Sequence, residues 1–465
     1  MNRDGAIARA AAYFDSGAFS RDLARRVACP TESQNADRAA ELRAYLDDQI
    51  APALAALGMS TRVVANPISG APPLLIGERI ESPSLATVLM YGHGDVVRGQ
   101  DDHWNEGLSP WTVTQRGDKL YGRGSADNKG QHSINLGALA AVLAERGGRL
   151  GFNLKWLFEM GEETGSPGLA ELAAAERDAL GADVLIASDG PRLRADRPTL
   201  FLGSRGVANF DLVCRLREGA HHSGNWGGLL RNPATVIAAA IASLVDGRGR
   251  ILVAGLRPPP IPDAVRAALA EIEVGGSAGD PRIDADWGEP GLTPAERVFG
   301  WNTLEVLALA AGNAAQPVNA IPPEARAHCQ LRFVVGTDWQ HLREHVQAHL
   351  VAHGLSTVEV GEPVTMAATR LDPDSPWVRW ALASIERTSG RRPALLPNLG
   401  GSLPNDVFAD TLGLPTLWVP HSYPACAQHA PDEHLLAPVA REALQIMAGL
   451  FWDLGDGAPA ARRLA

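Results

Sequence analysis

Lysine is almost absent from this chain of 465 residues, whose 42 basic residues include only the lysines Lys119, Lys129 and Lys155. With 53 acidic residues, the formal net charge is −11. A nucleic-acid-binding surface needs clustered cationic side chains that neutralise phosphates. The scattered arginines and the acidic balance therefore argue against a nucleic-acid partner.

Cysteine is also scarce, with four residues far apart in the sequence and no C-x-x-C pair. Neither a cysteine-based zinc site nor a disulfide framework is therefore expected. Long apolar runs are missing too: no stretch approaches the roughly 18 apolar residues of a membrane span, and the N-terminus lacks the apolar segment of a secretory signal. We expect a cytoplasmic protein with no membrane partner.

The sequence is rich in buried-strand patterns followed by helical patterns. Residues 84–95, 152–163 and 182–190 are apolar runs that end in polar or glycine-rich turns, and helical patterns cover 132–147 and 169–180. Strand and helix in alternation predict an α/β domain, with a mostly parallel sheet and helices on both faces. In such sheets the functional groups gather at the carboxyl ends of the strands.

The pattern changes after about residue 204. Residues 207–219 and 325–336 alternate like half-exposed strands, which indicates an inserted α+β unit with an antiparallel sheet. Between them, 257–300 is rich in Pro, Gly and Asp and predicts an irregular connection. A buried strand returns at 411–420, so we expect the C-terminal part to complete the first domain. The predicted divisions are 1–204, 205–366 and 367–465.

Carboxylates and imidazoles follow successive strands of the predicted sheet. They are His93 and Asp95, then Glu162 and Glu163, then Asp189, with Asp127 in a glycine-rich turn that opens a helix. So many acidic groups at one sheet edge repel one another unless a cation neutralises them. Oxygen and imidazole donors without thiolate suit Zn, Co or Mn. One shared carboxylate would hold two such ions about 3.5 to 4 Å apart.

Five sequence blocks stand in order across nearly the whole chain: GHGD at 92–95, GRGSADNKG at 122–130, GEETGS at 161–166, SDG at 188–190 and QHAPDE at 428–433. Together they resemble the motifs of the di-metal amidohydrolases and exopeptidases. That family includes carboxypeptidase G, carnosinase, aminoacylase and succinyl-diaminopimelate desuccinylase. The resemblance implies a catalytic domain with two divalent ions, zinc being expected and cobalt or manganese being alternatives.

The resemblance also implies a ligand set for the two ions. His93 and Asp189 would bind one ion, Glu163 and His429 the other, and Asp127 would bridge both.

Two further acidic residues of the same blocks have implied roles. Asp95 would orient His93 from behind the ligand shell. Glu162 would be the general base and acid that activates a metal-bridged water for attack on an amide carbonyl. Members of the family commonly have a cis peptide bond after the bridging Asp, here between Asp127 and Asn128.

In the inserted unit, HHSGNWGG at 221–228 resembles the motif of the family's lid and dimerisation domain. The resemblance implies that His222, or alternatively His221, crosses a homodimer interface to the partner's metals and stabilises the developing oxyanion.

Two more segments resemble parts of the family that contact substrate. VNAIPPEARAHCQLRF at 318–333 implies Asn319 and Arg332, whose guanidinium fork suits a free carboxylate. NLGGSLPND at 398–406 implies Gly401 and Ser402 in the substrate pocket.

A second pattern of histidines could be taken for a zinc site of another protease class. His341, Glu344 and His345 match the H-x-x-E-H order of inverted zinc proteases. We favour a solvated helix face, because further histidines continue the same spacing without an apolar pattern.

The leading hypothesis is a metal-dependent hydrolase that cleaves an amide or peptide bond next to a free carboxylate in a small substrate, as a dipeptidase or carboxypeptidase-like enzyme does. Asp189 rather than Glu, and the HSGNWGG segment, favour the dipeptidase branch. The alternative is an N-acyl-amino-acid deacylase acting on acetylated or succinylated amino acids. From another class, the chain could be a non-catalytic binding protein on the same fold.

Overall fold

The structure is a computed structural model that describes residues 1–276 and 280–459. The contacts between its residues divide the chain into two compact units. Unit 1 comprises Met1–Gly203, Leu371–Leu396 and the chain from Pro404 onward, and unit 2 comprises Ser204–Arg370 and Pro397–Leu403. The segment 205–366, predicted as an insertion, lies inside unit 2, which also takes up residues 397–403.

The described residues form helices and strands throughout both units. In chain order the helices are α1 (Arg3–Asp15), α2 (Ala18–Val27), α3 (Ala39–Tyr45), α4 (Ala51–Ala56), α5 (Lys129–Glu145), α6 (Leu169–Ala175), α7 (Arg177–Leu180), α8 (Ser223–Trp226), α9 (Pro233–Leu244), α10 (Asp263–Leu269), α11 (Pro294–Phe299), α12 (Leu342–Ala352), α13 (Pro376–Ser389) and α14 (Ala437–Asp456). The strands are β1 (Ser60–Val64), β2 (Leu74–Arg79), β3 (Thr87–His93), β4 (Thr114–Arg116), β5 (Lys119–Tyr121), β6 (Asn153–Glu159), β7 (Val184–Ala187), β8 (Thr199–Phe201), β9 (Gly206–Arg215), β10 (His221–His222), β11 (Thr303–Ala311), β12 (Ala320–Ile321), β13 (Glu324–Phe333), β14 (Glu359–Val360), β15 (Val364–Met366), β16 (Ala394–Leu396), β17 (Thr416–Trp418) and β18 (His434–Leu436).

Unit 1 is built on a sheet with the strand order β1-β2-β6-β3-β7-β17-β8-β16. Its centre, from β6 through β3 and β7 to β17, is parallel, while β1 and β2 form an antiparallel edge. Every residue of β6 and β7 is buried, so both faces of the sheet are covered. The predicted α/β fold with a mostly parallel sheet is confirmed.

Helix α5 lies in the core of unit 1, and the loop before it carries Asp127. A Cβ atom added to Gly130, in the first turn of this helix, would lie 1.9 Å from the carbonyl oxygen of Ser125. Only glycine therefore lets the loop fold back over the start of the helix. The close approach fixes the backbone that presents Asp127.

Unit 2 contains an antiparallel sheet with the order β11-β13-β9-β14, and β15 also pairs with β9. Burial alternates strictly along β9 and β13, as the sequence pattern predicts for a sheet with one exposed face. Apolar side chains of α9 and α12 pack with the buried face. A separate two-stranded pairing joins β10 to β12.

The prediction of an irregular connection over 257–300 is wrong in part, because α10 and α11 lie within it. Helix α11 begins with a capping box, in which Thr293 and Glu296 each accept a hydrogen bond from the other's backbone amide. The high proline, glycine and aspartate content of the flanking residues conceals this short helical signal.

The helices formed by residues 1–276 and 280–459 include none with the length and apolar character that crossing a membrane requires.

Candidate metal centre

The carboxyl ends of three neighbouring strands deliver most of the site in unit 1. Strand β3 ends at His93, β6 leads into a short 3-10 turn that contains Glu162 and Glu163, and Asp189 follows β7. Because β6, β3 and β7 are adjacent and parallel, their carboxyl ends meet at one edge of the sheet. Asp127 joins them from the loop before α5.

The first donor set consists of His93, Asp127 and Asp189, all of them buried. His93 Nε2 lies 3.0 Å from Asp127 Oδ1 and 3.5 Å from Asp189 Oδ2. Asp189 Oδ1 accepts a hydrogen bond from the amide of Gly190, whereas Oδ2 is buried without a hydrogen-bond partner. A buried carboxylate oxygen without a donor is costly, which is the condition that a cation relieves.

The second donor set consists of Asp127, Glu163 and His429. His429 Nε2 lies 3.0 Å from Asp127 Oδ2 and 3.1 Å from Glu163 Oε2. His429 adopts a left-handed backbone conformation with φ of 61° in the loop between β17 and β18. Asp127 thus offers one oxygen to each set, and the Gln428 amide also donates to its Oδ2.

The two sets fit a pair of divalent ions. In each set the donor atoms lie within 4.8 Å of one another, and each set combines one imidazole with two carboxylates. Oxygen and nitrogen donors of this kind suit zinc, manganese or cobalt. The peptide bond between Asp127 and Asn128 is cis, as the resemblance predicts.

The electrostatics of the cluster reflect crowded acidic groups at a buried position. Burial and the negative charge of Asp127 raise the pKa of Glu163 to about 7. The same two causes raise the pKa of Asp189. The pKa of Asp127 is lowered: burial alone would raise it, but hydrogen bonds with His429 and His93 outweigh burial. Hydrogen bonds to Asp127 and Glu163 raise the pKa of His429 to about 11. These opposed shifts describe an acidic cage that stabilises positive charge.

Glu162 differs from its neighbours because the hydrogen-bond network gives its carboxylate no partner among the described residues. Burial is the main cause that raises its pKa well above the ordinary value, and Asp189 and Asp127 add to the shift. A buried carboxyl group with a raised pKa beside a metal-binding cage is suited to proton transfer.

Asp95 has two contacts that hold the site together. His93 Nδ1 lies 3.1 Å from the main-chain oxygen of Asp95 and 3.4 Å from its Oδ1. The Asp95 carboxylate also accepts hydrogen bonds from the amides of Glu162 and Glu163, at 3.2 Å and 3.1 Å. Asp95 thus contacts both His93 and the Glu162–Glu163 turn.

The predicted residues of unit 2 form two separate contacts. His222 is exposed on β10, where its Nδ1 accepts a hydrogen bond from the amide of Gly224. The main-chain oxygen of Asn319 accepts a hydrogen bond from the amide of Ser223. Asn319 directly precedes β12, whose Ala320 pairs with His222 on β10.

Arg332 and Ser402 are in direct contact, with Arg332 Nη1 donating to Ser402 Oγ at 2.8 Å. Gly401 is exposed, and a Cβ atom there would meet only Leu399, at 3.9 Å. Steric space within unit 2 therefore does not require glycine at position 401.

The comparisons with known proteins were consistent with this geometry. The sequence pattern described as peptidase family M20/M25/M40 matches residues 89–453, which is most of the chain. The chain belongs to this peptidase family. Membership confirms the predicted family and the predicted enzyme class, a metallopeptidase.

Curated relatives carry dipeptidase names. The mouse beta-Ala-His dipeptidase is 36% identical over 208 residues, covering 44% of this chain and 42% of the relative. The cysteinylglycine-S-conjugate dipeptidase of Corynebacterium striatum is 28% identical over 349 residues, covering 71% of this chain and 72% of the relative. The chain thus spans about two fifths of the beta-Ala-His dipeptidases it matches.

Solved structures of the family share the fold. An M20 family metallo-carboxypeptidase from Sulfolobus solfataricus superposes with a TM-score of 0.79 at 23% identity, covering 94% of this chain and 99% of that one. Human carnosine dipeptidase 1 gives a TM-score of 0.77 at 23% identity, covering 97% of this chain and 99% of that one. At this level of identity the likeness establishes the fold.

The sequence prediction missed a residue that holds the loop around Asp127 in place. Glu433 Oε1 accepts the backbone amides of Ala126 and Asp127 at 2.9 Å and 3.0 Å, and Oε2 pairs with Arg123 at 2.7 Å. Arg123 and Glu433 are each 1% exposed. Glu433 closes the QHAPDE block, so a signal was present in the sequence, but nothing in the block indicates which loop it contacts.

Proposed function

We propose that the protein is a metal-dependent dipeptidase, which hydrolyses the peptide bond next to a free carboxylate in a small substrate. The observation that carries this proposal is the pair of donor sets that share Asp127, with the unpaired Glu162 beside them. The dipeptidase names of the two curated relatives support the substrate class.

We assign His93 and Asp189 to one ion, Glu163 and His429 to the other, and Asp127 to both. Zinc is the proposed ion, with cobalt or manganese as alternatives. When bound, such a pair polarises the scissile carbonyl and lowers the pKa of water.

Glu162 is the proposed general base and acid. Its carboxylate takes a proton from the attacking water at one oxygen and then returns it to the leaving nitrogen. Burial, the largest cause of the raised pKa of Glu162, favours the protonated form from which the second step donates. The Asp95 carboxylate accepts hydrogen bonds from the backbone amides of Glu162 and Glu163 and so fixes the turn from which this side chain projects.

Unit 2 is proposed to bind the substrate and to form a homodimer. Arg332 and Ser402 bind the free carboxylate, Gly401 and Asn319 contact the rest of the substrate, and His222 donates to the developing negative charge in the partner's site. Strand β11 supports the dimer, because it is the edge of its sheet and carries Leu307 and Leu309, 55% and 58% exposed.

The described cysteines are free, which supports the proposal of a reducing cytoplasmic location.

The first experiment compares substrates. A panel of dipeptides and a panel of N-acetyl and N-succinyl amino acids would be assayed with zinc, cobalt and manganese. We expect turnover of dipeptides. Activity confined to acylated amino acids would favour the deacylase alternative, and no turnover with both ions bound would favour a binding protein.

The second experiment tests Glu162. The Glu162→Gln variant is expected to keep both ions and lose at least about a hundredfold in kcat. The matched control is Glu171→Gln, at an exposed position on α6, which should behave like the wild type. A Glu162→Gln enzyme with full metal occupancy and wild-type kcat would refute the assignment.

The third experiment tests His222 across the dimer. Variants Glu162→Gln and His222→Ala, each inactive alone, would be mixed under conditions that exchange subunits. Each mixed dimer then contains one intact site, so about a quarter of the wild-type activity should return. No recovery in verified mixed dimers would show that His222 acts within its own subunit, and a His222→Ala variant that is active alone would show that His222 has no catalytic role.

A further inference from the structure

Unit 2 contains a second arginine beside the predicted substrate-binding residues. Arg205 immediately precedes β9 and is 8% exposed, and Arg332 lies on β13 in register with Val207. Burial is the larger cause, and the positive charge of Arg332 the smaller one, of a pKa of Arg205 that is lowered to about 10. The two guanidinium groups therefore share one electrostatic environment.

One loop ties both arginines in place. Arg205 Nε donates to the carbonyl oxygen of Gly400 at 3.0 Å, and Ser402 Oγ donates to the carbonyl oxygen of Arg205 at 2.7 Å. Arg332 Nη1 donates to the same Ser402 hydroxyl at 2.8 Å, and its Nε donates to Gln330 Oε1 at 3.0 Å. These bonds orient both guanidinium groups but neutralise neither.

Arg205 keeps a donor that the protein does not use. Its Nη1 is buried without a hydrogen-bond partner, and no carboxylate forms an ion pair with Arg205 or Arg332 in the part of the chain that the structure describes. Glu305 is the acidic group whose charge acts on Arg205, and its side chain is exposed on the edge strand β11. A buried cation without a partner is costly unless an anion binds to it.

We propose that Arg205 is a second substrate-binding residue, which together with Arg332 binds one carboxylate group of the substrate. This inference rests on the proposed function and deepens it. Two planar guanidinium groups can offer paired N–H donors to both oxygens of a carboxylate. Two arginines and Glu305 together carry a net charge of about +1, which a single carboxylate of the substrate would balance. The site therefore selects a substrate end with one carboxylate over an amide or an ester.

The kinetic test compares a dipeptide with its C-terminal amide. For Arg205→Gln, KM for the dipeptide should rise by at least about tenfold, as expected for the loss of a charge-assisted hydrogen bond, while kcat falls less. KM for the amide should change little. The control is Arg215→Gln, at the other end of β9, where the side chain is exposed and pairs with Glu324. Equal effects on both substrates would mean that Arg205 only positions the loop, and would overturn the proposal.

A binding test separates this inference from the proposed function. The thermal unfolding midpoint of metal-free protein would be titrated with propionate and with propionamide. The wild type should be stabilised by propionate alone, and Arg205→Gln should lose the response. If Arg205→Gln does not fold, Arg205→Met replaces it. A variant that keeps the propionate response overturns the carboxylate site even if the enzyme cleaves dipeptides. If Arg205→Gln loses the propionate response but the wild type shows no peptidase activity, the carboxylate site stands and the proposed function is rejected.

Discussion

Glu433 offers a sharp test of how the loop around Asp127 is held. Replacing it with alanine leaves Arg123 without its carboxylate at a fully buried position and removes the acceptor of two backbone amides. Breaking a buried ion pair by removing one partner costs about 3–5 kcal/mol. Because the orphaned amides belong to the same network, their cost is not simply added, and we expect Glu433→Ala to lower the free energy of unfolding by about 4 kcal/mol.

Two companion variants divide that loss into its causes. Glu433→Gln keeps an acceptor for both amides and loses the charge, so it should cost about half as much. Arg123→Met combined with Glu433→Gln removes both charges and should recover part of that cost. The partly exposed pair of Arg62 with Glu176 supplies the control, since Glu176→Ala should cost less than about 1 kcal/mol.

The assay is urea unfolding of the metal-free protein, so that ion binding does not mask the change. A second measurement is the affinity for zinc, which should fall by about 10- to 100-fold in Glu433→Ala, because the Asp127 backbone loses its anchor. If the urea midpoint of Glu433→Ala corresponds to a loss of less than about 1 kcal/mol in the free energy of unfolding, and its zinc affinity is unchanged, Glu433 does not anchor the Asp127 loop.

Three further predictions concern the core, pH and metal removal. Trp156 is fully buried and stacked on Phe158 with ring centroids 5.0 Å apart, so Trp156→Ala should lower the free energy of unfolding by about 3–5 kcal/mol, measured by urea titration; a loss below about 1 kcal/mol would contradict this packing. Burial alone would raise the pKa of Asp453, but hydrogen bonds from Arg3 and Ser384 hold it below its ordinary value of 3.8. Its contribution to stability is therefore present above about pH 4 and is lost as the pH falls through the lowered pKa, so the difference in urea midpoint between wild type and Asp453→Asn should shrink on acidification; a growing difference would count against it. Chelation of divalent ions should lower the thermal unfolding midpoint, and added zinc should restore it, because the ions bind the folded state. An unchanged midpoint would argue against metal binding by the two donor sets.

The central strands could be predicted from the sequence because their signal is local. Strands buried on both faces appear as continuous apolar runs, and β3, β6 and β7 each end within a few residues of a carboxylate or an imidazole. The parallel arrangement then places these ends at one edge. The contact between His429 and Asp127 could not be derived this way, and its prediction depended on family resemblance.

Other features lacked a signal of that kind. Arg123 and Glu433 are 310 positions apart, and their pairing depends on how two loops meet. Arg205 precedes an alternating strand and is scarcely distinguishable in sequence from the exposed Arg215 at the other end. Helix α11 shows the opposite case, because its capping box was present in the sequence but its composition indicated a loop.

The strand order of unit 1 has a consequence for folding during synthesis on the ribosome. Strand β17 fills the place between β7 and β8, although the whole of residues 204–370 separates it from them along the chain. While the polypeptide is being synthesised, β7 therefore has an open edge, and β8 lacks both of its partner strands, until the last stretch emerges from the ribosome. Such unsatisfied edges are prone to aggregation. We expect nascent chains to engage chaperones at this open edge, and metal binding to follow their release, since His429 belongs to the same late stretch.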